Sequence, residues 1–307
     1  LYKSRNLVSV RLLDAIGVPA ARAMAQRFGF PSEEVPNNLT IALGSGTTVP
    51  LRMSAVYAVF ANGGFRVKPY LIDEVWDANG DLILKADPAV ACNTCSATDE
   101  INREPALNTE LVLPLSRYLG PDELQADGFG PDPVRPATRI ISPQVHFQIS
   151  SILRDVVKRG TARKAMQLGR NDLAGKTGTT NEQRDAWFNG FHPELVTTAW
   201  VGFDELLPLG RKETGGRAAL PMWISLMKAA LAGKPERALV QPDGMVTIKI
   251  DPDTGLAILP GQPGGIAETF RKELVPKAAD ANAGVSPDIF SGDGAPATDV
   301  EIREDLF

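Results

Sequence analysis

An α+β fold, with helices around an antiparallel sheet, is what this sequence predicts, and three observations predict it. Three β-rich runs, Leu173 to Thr180, Ala186 to Phe191 and Val196 to Phe203, are joined by links of only a few residues, which imply an antiparallel meander. Segments with apolar residues at helical spacing stand before and after that meander. The 28 Gly and 24 Pro together exceed the roughly 12% of average usage, so turns are frequent and strands are expected. With 307 residues, one large or two small domains can bury a real core.

In chain order, Val8, Leu12 and Ile16 stand four apart and predict a first helix. Gly17-Val18-Pro19 breaks it, and a second helix carries Ala20, Met24 and Phe28 on one face with Gly29 as its stop. Thr48 and Pro50 mark the N-cap region of a third, along which Met53, Val56, Tyr57 and Phe60 recur before Asn62-Gly63-Gly64 closes it. Residues 65–76 read as β-structure (Phe65, Val67, Tyr70, Ile72, Val75, Trp76), and Asn79-Gly80 turns the chain into Leu82-Ile83-Leu84. Residues 1–86 thus form a first region, and 87–139, aperiodic and rich in prolines and acids, an insertion. Ser142-Pro143 opens an amphipathic helix with Val145, Ile149, Ile152 and Val156 on its apolar face, ending at Gly160. After the meander, Gly215-Gly216 leads into a helix from Leu220 to Leu231. Met245 to Ile250 and Leu256 to Leu259 then bracket Asp251-Pro252-Asp253-Thr254-Gly255 as a hairpin. Residues 140–275 make the second region, and 276–307, acidic and Ala/Asp/Gly-rich, read as a disordered tail.

Several function classes drop out. A net charge of −5 argues against a surface for nucleic-acid backbones. His146 and His192 are the only histidines, which excludes a multi-histidine metal centre; no metal or cofactor is expected, and both rings read as structural or surface groups. No run approaches the roughly 18 apolar residues of a membrane span. The chain opens on Leu1 without a start methionine or signal peptide and reads as part of something longer. Cys92 and Cys95 suit a redox pair or half a zinc site, but with no second Cys/His pair nearby a local disulfide is the simpler reading. Trp187 and Trp200 read as core.

Chemistry concentrates in Lys176-Thr177-Gly178-Thr179, in the first strand of the meander. A strand edge offers N–H and C=O groups to an extended peptide, Gly178 lets that peptide approach, and a lysine with two hydroxyls can hold a carboxylate. Strand alternation puts Thr177 and Thr179 on one face and Lys176 on the other, so the pleat alone does not unite them.

Around this tetrapeptide stands an ordered set of further motifs. Ser4-Arg5-Asn6 precedes Leu7-Val8-Ser9-Val10-Arg11. Ala42-Leu43-Gly44-Ser45, Thr48-Val49-Pro50-Leu51 and Phe60-Ala61-Asn62-Gly63-Gly64 follow. Then come Gly175 to Thr180, Asp185-Ala186-Trp187-Phe188-Asn189-Gly190, Trp200-Val201-Gly202, Gly215-Gly216 and Pro221-Met222-Trp223. Through them the chain, over roughly residues 1 to 260, resembles the transpeptidase domain of class A penicillin-binding proteins, the type 1A family of Gram-negative bacteria. That family's motifs are Ser-x-x-Lys, Ser-Asp-Asn or its relatives, and Lys-Thr-Gly.

The resemblance implies a five-stranded antiparallel sheet flanked by helices, beside a mostly helical subdomain that contributes Ser4 and Asn6, with the cleft between them. It implies that Ser4 relays protons to the leaving amine and that Asn6 binds the substrate backbone. It further implies that Lys176 places positive charge near Ser4 and the substrate carboxylate, that Thr177 and Thr179 bind that carboxylate, and that the Thr179 N–H forms half of an oxyanion hole. In the family the nucleophile's Ser-x-x-Lys precedes Ser-x-Asn by some tens of residues, so the acylating serine is expected outside this chain. The internal match Ser225-Leu226-Met227-Lys228 reverses that order and sits in a helix whose Trp223, Met227 and Leu231 look like packing residues. The implied reaction cross-links D-Ala-D-Ala stem peptides of peptidoglycan through a serine acyl-enzyme, and β-lactams are expected to acylate the same serine. The family also implies an N-terminal membrane anchor, a glycosyltransferase domain acting on a lipid-linked precursor, and the periplasmic face of the bacterial inner membrane. The rivals are a D,D-carboxypeptidase, with water as acceptor, and a non-catalytic sensor of β-lactam or stem peptide.

Overall fold

The computed structural model describes residues 1–92, 135–259 and 261–278. The chain opens with two helices, α1 (Asn6–Ile16) and α2 (Val18–Phe28). Gly29, left-handed at φ 105°, ends α2 with its N–H on the carbonyls of Ala25 and Gln26, a conformation that costs glycine little. The apolar stripe expected to bury α1 does not do so. Leu13 is its one buried residue, while Val8 and Leu12 are each 61% exposed. Periodicity says which side chains share a face but not what covers it.

α3 (Pro50–Ala61) starts on Pro50, as expected, but Val49 is its N-cap. The Thr48 hydroxyl expected there is buried without a hydrogen-bond partner, one position too early to reach the first-turn N–H groups. After α3, Asn62 clamps Phe65, its amide bonding both the N–H and the C=O of that residue at 3.0 and 2.9 Å. The chain then enters β1 (Phe65–Arg66). The β-run expected over 65–76 is split into β1 and β2 (Glu74–Trp76), because Pro69 in its middle has no N–H to give a ladder. β2 pairs with β3 (Leu82–Lys85) around Asn79-Gly80, where Asp77 accepts the N–H groups of Asn79 and Asp81 at 2.8 Å each. Val90 exchanges backbone hydrogen bonds with Arg135 and Ala137 at 2.8 and 2.9 Å, so the chain departs and returns at one place. Thr138 and Arg139, read from sequence as the end of the insertion, form β4 and pair with β1. Cys92 is disulfide-bonded, and the chain's other cysteine, Cys95, lies outside the described residues.

Ser142 caps α4 (Pro143–Lys158) by accepting the Val145 N–H at 3.3 Å, with Pro143 at the first helical position. Next comes the meander β5 (Ala174–Thr179), β6 (Asp185–His192) and β7 (Leu195–Gly202), in sheet order β5-β6-β7. α5 (Ala219–Ala230) follows. β8 (Met245–Ile250) pairs along its length with β9 (Ile266–Arg271), a partner the sequence reading did not name, and its end also turns back onto 256–258 as expected. Asp251 to Gly255 reverses the chain, with the Asp251 N–H on the Leu256 carbonyl and the Ile258 N–H on that of Lys249 at 2.9 Å each, and Ala257 bridges both Ile250 and Ala278. The resemblance implied a five-stranded sheet; among the described residues the meander sheet has three strands, and β8 and β9 form a separate two-stranded sheet.

Alternation along the strands divides the core. On one face Phe188 and Ala199 pack with Val156 and Val157 of α4 and with Leu220, Trp223 and Met227 of α5, the Phe188 and Trp223 rings meeting edge to face at 4.9 Å. On the other, Ala174 and Phe191 pack with Val56 and Tyr57 of α3 and Leu153 of α4. Each such large side chain contributes about 1.5–3 kcal/mol by leaving water. A polar clamp closes the far end of the meander. Buried Asp172 takes a two-pronged bond from Arg170 (2.9 and 2.7 Å) and the Arg237 N–H at 2.8 Å. Burial pushes the Asp172 carboxyl up, but these bonds outweigh it and hold it below its ordinary value. Fully buried His192 receives the Glu194 N–H on Nδ1 at 3.1 Å, so its proton sits on Nε2, 3.1 Å from Asp172.

Candidate active site

β5 is an edge strand of its sheet, and the Lys-Thr-Gly motif occupies its second half. Lys176 leaves the face where it is paired with Asn189 and donates from Nζ to Ser4 Oγ and to the Thr177 carbonyl, both at 2.8 Å. Ser4 and Lys176 are thereby brought together across 172 residues. Burial pushes the Lys176 ammonium below its ordinary pKa, which makes it a readier proton donor. With its oxygen accepting from Lys176, the Ser4 hydroxyl keeps its own proton to pass to a third group. Ser4 stands at φ 51°, a left-handed position uncommon outside glycine, its N–H bonded to the Leu1 carbonyl at 3.0 Å.

What holds Ser4 there is a seam that sequence reasoning missed. The Tyr2 carbonyl accepts the Thr161 N–H at 3.3 Å, and a Cβ on Gly160 would lie 2.5 Å from that carbonyl, so glycine is required at the close approach. Arg159 lies over the Tyr2 ring, 4.9 Å from its centroid. The local signal was the Gly160-Thr161 pair after α4, readable in sequence only as a helix stop.

Thr177 and Thr179 lie on the other face, as alternation requires. Thr177 Oγ1 is 2.7 Å from Thr161 Oγ1, and Thr179 Oγ1 accepts the Gly215 N–H at 3.0 Å. Because the Thr179 oxygen takes that amide proton, its own O–H points elsewhere and is free to donate to an anion. Gly215 is the second missed residue. A Cβ there would fall 2.2 and 2.3 Å from the carbonyls of Trp187 and Gly178, so only glycine lets the 215–216 backbone lie on the strand. Gly178 is itself tight, a Cβ meeting Trp187 Cβ at 3.1 Å. Asn6 is exposed at the first residue of α1, and no hydrogen bond ties its side chain to the described residues. Trp187 and Trp200, expected in the core, are only half-buried: their rings meet tilted at 43° with centroids 5.9 Å apart, and the Trp200 N–H donates to Asp185, which keeps that edge at the surface. Ser225 and Lys228 are exposed on α5, whose Trp223 and Met227 face the core. His146 bonds the Phe60 carbonyl at 2.9 Å. Among the described residues no group of three His, Cys, Asp or Glu could hold a metal ion, and no helix is long and apolar enough to cross a membrane.

A lysine-backed serine beside two strand hydroxyls is the equipment of an acyl-transfer site that reads a carboxylate. Residues 1–203 match the family model described as the penicillin binding protein transpeptidase domain, and the chain belongs to that family. It is 39% identical over its whole length to penicillin-binding protein 1A of Pseudomonas aeruginosa and 40% identical over 80% of its length to that of Neisseria lactamica. It spans 37% and 26% of those two proteins. The crystal structure of penicillin-binding protein 1A from Haemophilus influenzae superposes with a TM-score of 0.74 at 35% identity, covering 91% of this chain and 40% of that one.

Proposed function

We propose that the chain is part of a peptidoglycan D,D-transpeptidase in which Lys176 and Ser4 move the proton of the leaving amine while Thr177 and Thr179 hold the terminal carboxylate of the donor stem peptide. The 2.8 Å contact from Lys176 to Ser4, beside two hydroxyls on one strand, carries this reading. A serine outside these 307 residues attacks the penultimate D-Ala carbonyl, and the Thr179 N–H supports the oxyanion. Asn6 bonds the peptide backbone, and Gly178 lets the peptide lie close to the edge of β5. As the C–N bond breaks, the departing nitrogen takes a proton from Ser4, which is replenished from Lys176. A β-lactam carries its carboxylate at a comparable distance from its strained carbonyl and enters the same way. The whole protein, longer by analogy with its relatives, then works at the periplasmic face of the inner membrane, with a further domain that uses the lipid-linked precursor.

Charge-assisted hydrogen bonds to a carboxylate contribute about 1.5–3 kcal/mol each. In the full-length protein, Thr177→Val with Thr179→Val should therefore slow penicillin acylation at least tenfold, and should slow an amide analogue lacking the charge much less. Stopped-flow acylation measures both, and equal losses for acid and amide sink the assignment.

A further inference from the structure

We infer that the groove between the turns at 160–164 and 213–217 is an acceptor subsite, selecting an amine that carries a second carboxylate on a side arm. This rests on the transpeptidase reading and adds to it the charge of the acceptor. The groove is open and about 580 Å³, and it adjoins the carboxylate site directly: Thr161 on its wall is 2.7 Å from Thr177, and Gly216 on its floor leaves the approach clear. Arg163, Lys164 and Arg217 line it against a single acid, Glu213, a local charge of +2 on a chain of net charge −5. None of the three cations is in an ion pair with a described residue. Unpaired cations at the wall of a groove concentrate field lines for an anion.

The chemistry says which anion. Attack of an amine on the acyl-enzyme is acylation run backwards with a different amine. The nitrogen bonds to the ester carbonyl, the bond to the nucleophilic serine's oxygen breaks, and one nitrogen proton travels through Ser4 and Lys176 to that oxygen. By microscopic reversibility the incoming amine arrives where the leaving amine departed, over Thr177 and Thr179. A carboxylate on the amine-bearing carbon reuses those hydroxyls, and whatever extends further meets Thr161 and the three cations.

The test compares D-glutamate with D-glutamine as acceptor amines for the full-length enzyme, using a thioester donor and measuring aminolysis against hydrolysis of the acyl-enzyme. The two acceptors have the same shape and differ by the side-arm charge. Wild type should prefer D-glutamate at least threefold, and the preference should vanish in the triple variant Arg163→Gln, Lys164→Gln, Arg217→Gln. Arg217→Gln alone should reduce it in part, and penicillin acylation reports in each variant whether the donor half is intact. An unchanged preference in the triple variant, or none in wild type, overturns the subsite. Failure of wild type to be acylated by penicillin overturns the transpeptidase reading itself and the subsite with it.

Discussion

The meander with α4 and α5, and the N-terminal segment that leads into α1 and α2, hold opposite halves of the candidate site in opposite ways. In the first, Phe188, Leu220, Trp223, Met227, Val156 and Val157 are all at or below 1% exposure, and the strand carrying Lys176, Thr177 and Thr179 is paired along its length with β6, which holds Phe188. In the second, α1 buries Leu13 alone and α2 buries nothing fully, while Leu7, Val8 and Leu12 face outward. Ser4, just ahead of α1, is placed less by the helix that follows it than by the Tyr2–Thr161 seam and the Lys176 contact reaching over from the packed half. One half therefore supplies rigid geometry, and the other supplies a residue whose position is borrowed.

The largest expected break in that contrast is Trp223→Ala. Removing a fully buried indole beside Phe188 should cost about 3–5 kcal/mol of unfolding free energy, read by denaturant titration, and a cost below 1 kcal/mol would mean the packed half is not the stable one. Gly215→Ala forces a methyl into two strand carbonyls and should cost about 1–3 kcal/mol. It should also slow penicillin acylation more than tenfold, since Thr179 loses its oriented amide; normal acylation would show that Thr179 needs no such partner.

Acidity sharpens the comparison next. Burial pushes the His192 ring below its ordinary pKa, with Arg170 adding to the effect and Asp172 opposing it. A histidine depressed in the folded state stabilises fully above its unfolded value of about 6.5 and loses that contribution as pH falls below it, by at most about 1.4 kcal/mol per pH unit. Unfolding midpoints should thus drop below about pH 6.5, and His192→Gln should make the slope shallower. Half-buried His146, also depressed by burial, leaves a remainder. An unaltered slope in His192→Gln would remove His192 from the account. The smallest effect belongs to the N-terminal half: Leu12→Ser should change stability by no more than about 0.5 kcal/mol, and a cost above 2 kcal/mol would show its face is covered.

The local features were legible because they rest on local rules. Pro50 and Pro143 at helix starts, Gly29 at a helix end, Asn79-Gly80 at a hairpin and the three-strand meander all follow from one residue's allowed backbone angles or from links too short for a crossover. Where the reading slipped, the deciding fact was a partner at long range. Met245 to Ile250 kept its expected turn onto 256–258 only at its end and took 266–271 along its length, Phe65 and Arg66 took Thr138 and Arg139 across the insertion, and the stripe of α1 found no cover among the described residues.

The candidate site divides along the same line. Its residue types and their order were present in the sequence, because a lysine, two hydroxyls and a glycine on one strand are a chemical inventory that needs no fold to be listed. Their assembly was not. Strand alternation sends Lys176 and the two threonines to opposite faces, and nothing in the spacing says that Lys176 reaches Ser4 across 172 residues. Nor does it say that Thr161 and Gly215 will orient Thr177 and Thr179. Backbone angles are set by neighbours a few residues away, but contacts are set by which buried faces meet, and only the packed chain decides that.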